Sequence, residues 1–384
     1  MYLLPKPKTI KEQDGQMLLC HSTHIVMTKE VAETEMHAAK RLQEAIRQET
    51  GLILPFSVGE VREGDLSLGI AKTLPEQTYE ITIDEKGGQI SGGDGAGVLY
   101  GVETFCQIVQ QCGGILPCVQ IQDAPDMPNR GYYFDQTRGR VLKLEELKKI
   151  ADRMCRYKLN QLQLYVEHTY LFRDFSEMWR DQTPLTAEEI LELDSYCRER
   201  HIELVPSLAS FGHLCTLLST KTYGDLCEME DSWKEPFSFW NRMRYHTINV
   251  SDERSLPLIK KMIAEYMQLF SSNKFNICAD ETFCLGKYKS KKLAEERGVH
   301  RLYIDYVKEL AQFLVENGKI PMFWGDIIWN SPELMKELPE SMICLNWGYA
   351  PEQREDETRA IAQTGAVQYL CPGVCGWNQW ANLI

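Results

Sequence analysis

The sequence predicts an α/β protein: a (β/α)8-type (TIM) barrel, incomplete at its C-terminus, preceded by a small α+β domain. Three observations carry that reading. Beyond about residue 126, short apolar runs alternate with stretches of helical periodicity, the pattern of a parallel sheet. About seven such runs follow one another, and polar and aromatic residues gather at their carboxyl ends, which favours a barrel over an open sheet. Before residue 125 the texture differs, with a hairpin, a Gly-rich turn and two helical stretches. The domains are therefore 1–125, α+β, and 126–384, the barrel.

In the first domain, residues 31–50 have helical periodicity, with Met36, Ala39, Leu42 and Ile46 on one face and Gly51 as the stop. Residues 52–55 and 66–70 read as short strands. Residues 79–83 alternate, turn through Asp84-Glu-Lys-Gly-Gly and return at 89–92, a hairpin signal. The glycines of 92–97 lead into a helix over 98–110. They lack the Lys-Ser/Thr of a phosphate loop and the spacing of a dinucleotide loop, so they read as a packing turn. Asp123-Ala-Pro-Asp-Met-Pro marks a linker.

The barrel strands are expected at 131–135, 161–166, 203–207, 275–279, 320–324, 342–347 and 366–370. Helices fill 144–157, 187–200, 256–270, 299–318, 332–338 and 353–363. The stretch from 208 to about 252 is irregular. No eighth strand is visible before residue 384, so the chain reads as a fragment or as a barrel that closes unusually, with exposed sheet edges.

Composition narrows the function. Forty-two basic against 55 acidic residues give a net charge of -13, which disfavours nucleic acid as a partner. No run approaches the ~18 apolar residues of a membrane span. Thirteen scattered cysteines without Cys-x-x-Cys spacing, and no secretory pattern at the start, suggest reduced thiols and a cytoplasmic setting. Eight Trp, 17 Tyr and 13 Phe are generous, and aromatic faces suit sugar rings.

The stretch Phe275-Asn-Ile-Cys-Ala-Asp280-Glu281 matters most. A buried strand ends in two adjacent carboxylates, which cost free energy unless they are paired. Taken alone, the pair could be one loop acid and one helix cap. In a barrel, however, all strand ends face one mouth. That mouth would collect Asp135 and Arg138 (with Arg130 at the start of the same strand), Glu167, His168, His213, Asp280, Glu281, Trp324, Asp326, Trp347, Tyr349 and Trp377. Trp and Tyr walls with carboxylates and an Arg suit a neutral polyhydroxylated ring.

Asp123-Ala-Pro-Asp-Met-Pro-Asn-Arg130-Gly-Tyr-Tyr-Phe-Asp135, Gly97-Val-Leu-Tyr-Gly-Val-Glu, Ser210-Phe-Gly-His213 and Cys278-Ala-Asp280-Glu281-Thr together resemble family 20 glycoside hydrolases, the β-N-acetylhexosaminidases. The resemblance implies substrate-assisted retaining hydrolysis of terminal β-linked N-acetylglucosamine or N-acetylgalactosamine, with a glycoside or oligosaccharide substrate and no cofactor or metal. Glu281 would be the general acid, with a raised pKa, and then the base. Asp280 would orient the acetamido group, whose own oxygen attacks the anomeric carbon. Arg130, Trp324, Asp326, Trp347, Tyr349 and Trp377 would bind the sugar. Asp135, Glu167, His168 and His213 would support the acids. The family's Asp-rich motif after the second strand is replaced here by Val166-Glu167-His168-Thr169. Three other readings compete: a metal-dependent barrel hydrolase built on His168, His213, Asp280 and Asp326, a catalytically silent acetamido-sugar-binding barrel, and another class of acetamido-sugar hydrolase with a similar acid pair.

Overall fold

The computed structural model describes residues 1–374, apart from positions 140, 237, 351 and 353. The chain divides into two compact units. The first joins Met1–Tyr132 to Glu145–Leu162 and Ser195–Glu203; the second holds Tyr133–Leu144, Gln163–Asp194 and the chain from Leu204.

The first unit is built on a mixed seven-stranded sheet: β1 (Thr9–Leu18), β2 (Ile25–Met27), β3 (Phe56–Val58), β4 (Leu66–Ile70), β5 (Tyr79–Asp84), β6 (Gly87–Gly92) and β7 (Ile115–Asp123), in the order β1-β7-β5-β6-β4-β2-β3. The expected hairpin is β5–β6, closed between Asp84 and Gly87. Its alternation is visible in burial, since Tyr79, Ile81 and Ile83 all face inward. Helices Met36–Thr50 and Gly95–Cys112 bury Leu42 and Ile46, and Val98, Val102 and Phe105, respectively. Asp94 caps the second helix by accepting the Gly97 N–H at 2.7 Å. A Cβ on Gly97 would meet the Thr78 carbonyl oxygen at 2.3 Å, and one on Gly93 the Pro75 oxygen at 1.9 Å. The glycine loop is thus a packing turn with its space already filled by backbone. Four strands of this sheet, β1, β2, β3 and β7, escape the sequence reading. β1 has only one buried residue, so it shows no apolar run. β2 has only three residues, and the run at 52–55 stays irregular up to Pro55, with β3 starting at Phe56.

The second sheet has seven strands in strict chain order: β8 (Gly131–Asp135), β9 (Gln161–Val166), β10 (Glu203–Leu208), β11 (Lys274–Asn276), β12 (Ile320–Trp324), β13 (Ile343–Gly348) and β14 (Val367–Pro372). From β10 to β14 each neighbouring pair is parallel. Chain order with helical crossovers is the arrangement of a (β/α) barrel, in which every strand delivers its carboxyl end to the same side.

Two expectations need correction. The strand expected over 275–279 ends at Asn276, because Cys278 (φ 58°) and Ala279 (φ 61°) adopt left-handed backbone that no strand tolerates. The stretch after β10 is also less irregular than expected. It holds helices Cys215–Leu218 and Phe239–Arg244 between short single turns.

Candidate active site

The site grows from the break in β11. Four non-glycine residues here have positive φ: His213 (59°), Cys278 (58°), Ala279 (61°) and Glu281 (47°). Such strain costs of order 1–3 kcal/mol per residue and persists only where the surroundings over-determine it. They do so here. Ser210 Oγ donates to the Ile277 carbonyl at 2.6 Å, and Tyr303 Oη to the Ala279 carbonyl at 3.0 Å. The Glu281 N–H donates to Asp326 Oδ2 at 2.9 Å. A Cβ on Gly212 would meet the Asp280 carbonyl oxygen at 2.5 Å, so the acid loop lies flat against a backbone that only glycine supplies.

This bent loop turns both carboxylates onto one imidazole. His213 Nε2 lies 3.3 Å from Asp280 Oδ2 and 3.2 Å from Glu281 Oε2. Its side chain is 1% exposed, whereas those of Asp280 and Glu281 are 19% and 27% exposed and open to the mouth. Burial opposes the imidazolium, but the Asp280 charge and the close contact with both carboxylates outweigh it and push His213 up to about 10. Burial also opposes the Asp280 carboxylate, yet His213 and then Arg138 hold it below the ordinary range. The three side chains additionally have the spacing of a cation site, with ligand atoms within 4.8 Å of one another. A cation there would compete with the proton that His213 holds.

The raised acid is Asp326. Burial and the Asp280 charge push it up to about 8, against the Glu281 N–H that it accepts. Among the described residues, its Oδ1 is buried without a partner, the place for that proton. The sequence reading gave Asp326 a substrate contact. The structure instead sets Asp326 behind Glu281, as the anchor of its backbone.

Arg130 requires another correction. It sits in the first unit, where its guanidinium donates to the carbonyls of Lys158 at 2.8 Å, Met127 at 2.7 Å and Pro128 at 3.2 Å. Those bonds hold the linker and leave little for a ligand. The arginine at the acid pair is Arg138, just past β8. Its Nε reaches Asp135 Oδ2 at 2.5 Å, and its guanidinium lies 4.7 Å from the Tyr165 ring centre. Asp135 supports this turn through its own Oδ1, which accepts the Thr137 and Arg138 N–H groups.

Glu167, at the end of β9, accepts from Tyr165 Oη at 3.0 Å and from Arg242 Nη2 at 3.1 Å. His168 is buried, 3.9 Å from Glu167, and burial lowers its pKa, so it is neutral. Trp324 is 7% exposed and meets the Tyr133 ring edge-on at 4.8 Å. Trp347 stands 5.2 Å from Tyr349, which is 44% exposed. Trp377 lies outside the described residues.

The sequence reading missed Tyr133, whose hydroxyl pairs with Ser207 Oγ at 2.9 Å under Cys278, and Arg242, which lies in the stretch read as irregular. Arg138 had a signal, standing three residues after Asp135, where a charge pair closes on a single turn.

Two family models cover nearly all of this chain. Residues 1–124 match glycosyl hydrolase family 20, domain 2, and residues 128–374 match the family 20 catalytic domain. The chain belongs to glycosyl hydrolase family 20. A beta-hexosaminidase of Porphyromonas gingivalis is 24% identical over 363 residues, covering 85% of this chain and 45% of that protein. One of Vibrio furnissii is 26% identical over 310 residues, covering 73% and 48%. The chain thus spans about half the length of these relatives. A beta-N-acetylhexosaminidase structure from Bacteroides fragilis superposes with a TM-score of 0.77 at 18% identity, over 95% of this chain and 74% of that one. In this family 20 fold, the acid loop lies at the carboxyl end of the fourth described barrel strand, where (β/α) barrels carry their chemistry.

Proposed function

We propose that this chain carries the catalytic unit of a β-N-acetylhexosaminidase, which removes terminal β-linked N-acetylglucosamine or N-acetylgalactosamine by substrate-assisted retaining hydrolysis. The observation that carries this reading is the shared imidazole. In a conventional retaining glycosidase, acid and nucleophile flank the scissile bond from opposite sides. Here one buried His213 holds Asp280 and Glu281 on the same side. In family 20, to which the chain belongs, the attack on the anomeric carbon falls to the substrate's own acetamido oxygen, so the pair serves as one acid and one acetamido-orienting carboxylate.

Glu281, the more exposed of the pair, is the general acid and then the base for water. Asp280, kept ionised by His213 and Arg138, accepts the acetamido N–H and stabilises the cationic oxazolinium intermediate. Trp324, Trp347 and Tyr349 line the sugar's side of the mouth, and Arg138 supplies the charged donor that the sequence reading assigned to Arg130. The family membership supports the same chemistry, as do related enzymes named beta-hexosaminidases. Cys106, Cys118, Cys155 and Cys278 are buried free thiols, which supports a reducing, cytoplasmic setting.

The test is turnover of aryl N-acetyl-β-glucosaminide and N-acetyl-β-galactosaminide beside the plain β-glucoside. Release from the N-acetyl sugars alone is expected. Glu281→Gln should lower turnover of poor leaving groups by about 10²-fold or more, with binding retained. Asp280→Asn should lower kcat by about 10²-fold. Near-full activity of Asp280→Asn would sink the substrate-assisted reading. Binding of N-acetylglucosamine without turnover would make the chain a sugar-binding module.

A further inference from the structure

The helix Phe239–Arg244 is tied to the site on one side and exposes aromatic surface on another. Arg242 reaches Glu167 at 3.1 Å, Arg138 Nη1 lies 3.5 Å from the Met243 sulfur, and Cys284 Sγ donates to the Arg244 carbonyl at 3.0 Å. Trp240 and Arg244, four residues apart, share a different side of the helix. Trp240 is 61% exposed, and the Arg244 guanidinium lies 5.0 Å from its ring centre. The same guanidinium lies 5.9 Å from the ring of Phe283, itself 40% exposed. Phe283 is two residues beyond Glu281, and its N–H donates to the Glu281 carbonyl at 2.7 Å. An exposed shelf of two aromatic rings with a cation between them therefore starts where the acid ends. Exposed aromatic surface of this kind marks an interaction site.

We propose that this shelf is the leaving-group subsite, which takes the hexose on the far side of the scissile bond. The proposal rests on the glycosidase reading above. The acid must touch the leaving oxygen, so the leaving residue has to lie beside Glu281, and Phe283 is fixed there. The apolar face of a pyranose stacks on Trp240 and Phe283, and the Arg244 guanidinium donates to its hydroxyls.

The experiment compares two substrates whose leaving groups have similar acidity: a β-linked N-acetylglucosaminyl disaccharide and the trifluoroethyl N-acetyl-β-glucosaminide, which has no leaving ring. Trp240→Ala should lower the ratio of their kcat/KM values about tenfold, the range of one lost ring contact. Trp240→Phe should restore most of that ratio. Titration of the Glu281→Gln protein gives an arm independent of turnover. There, Trp240→Ala should weaken the disaccharide about tenfold relative to N-acetylglucosamine. An unchanged ratio in both arms, with or without a change of oligomeric state, overturns the shelf. Absent turnover with the binding difference intact overturns the glycosidase reading alone.

Discussion

At the scale of single residues, the site is a set of charges whose pKa values are pushed apart. His213 is raised to about 10, so its pairing stabilises the fold fully below its ordinary value near 6.5 and is lost as pH rises through about 10. Asp280 is lowered, so its contribution is present above the ordinary carboxylate value and lost as pH falls through the depressed one. Across neutral pH both charges stand. Asp326, raised to about 8, behaves in the opposite sense to Asp280. Its native proton stabilises the fold below the ordinary carboxylate value, and that contribution is lost as pH rises through about 8. Deprotonation would also place a third carboxylate behind Glu281. The alkaline limb of kcat/KM should therefore fall near pH 8, well before His213 titrates. Asp326→Asn keeps an acceptor for the Glu281 N–H but cannot ionise. It should move that limb towards 10 and flatten the loss of Tm between pH 5 and 8. A limb unmoved by Asp326→Asn would assign it to another group. The sequence made the acid pair and His213 legible, because strand ends converge in a barrel. It did not show that Asp326 stands behind Glu281, because that depends on the strained loop turning the Glu281 N–H onto the Asp326 carboxyl.

At the scale of elements, the first unit carries a buried charge on helix packing. Glu103, on helix Gly95–Cys112, is 3% exposed and pairs with Arg41 of helix Met36–Thr50. Cys155 Sγ also donates to Glu103, at 3.3 Å. Removing one partner of such a pair leaves an uncompensated buried charge, at a cost of about 3–5 kcal/mol. Arg41→Ala should therefore lower the free energy of urea unfolding by about that much. The double replacement Arg41→Met with Glu103→Leu should recover most of the loss, since a buried pair often gains little over apolar packing. Equal losses in the single and double variants would show that shape, rather than charge, sets the cost. Glu103 illustrates why this unit was only half legible. Its helix is buried along nearly its whole length, from Ala96 to Val109, so the one charged residue inside it reads as a solvated position. The barrel strands were far easier to read. β12 is an apolar run and β9 is buried along its whole length, so both show the two-sided burial that parallel strands take. β11 was the exception, because residues 277–279 keep the apolar strand texture while their backbone bends to deliver the acids.

At the scale of the whole molecule, two opposed forces act between copies. The net charge of -13 repels them. Against this, β14 has a strand neighbour on one side only among the described residues, and it exposes Val367 (52%) and Leu370 (56%). An apolar edge strand is a template for pairing with another chain. Screening decides which force prevails. The Debye length falls from about 30 Å at 0.01 M salt to about 8 Å at 0.15 M, so repulsion between copies fades while edge contact does not. The 384-residue chain should therefore sediment as a monomer at low ionic strength and associate as salt is raised. Leu370→Lys places a charge on the edge and should suppress that association at every salt concentration, without changing kcat on a monosaccharide aryl glycoside. Association that weakens with salt, or that survives Leu370→Lys, would place the contact elsewhere and make it electrostatic in the first case.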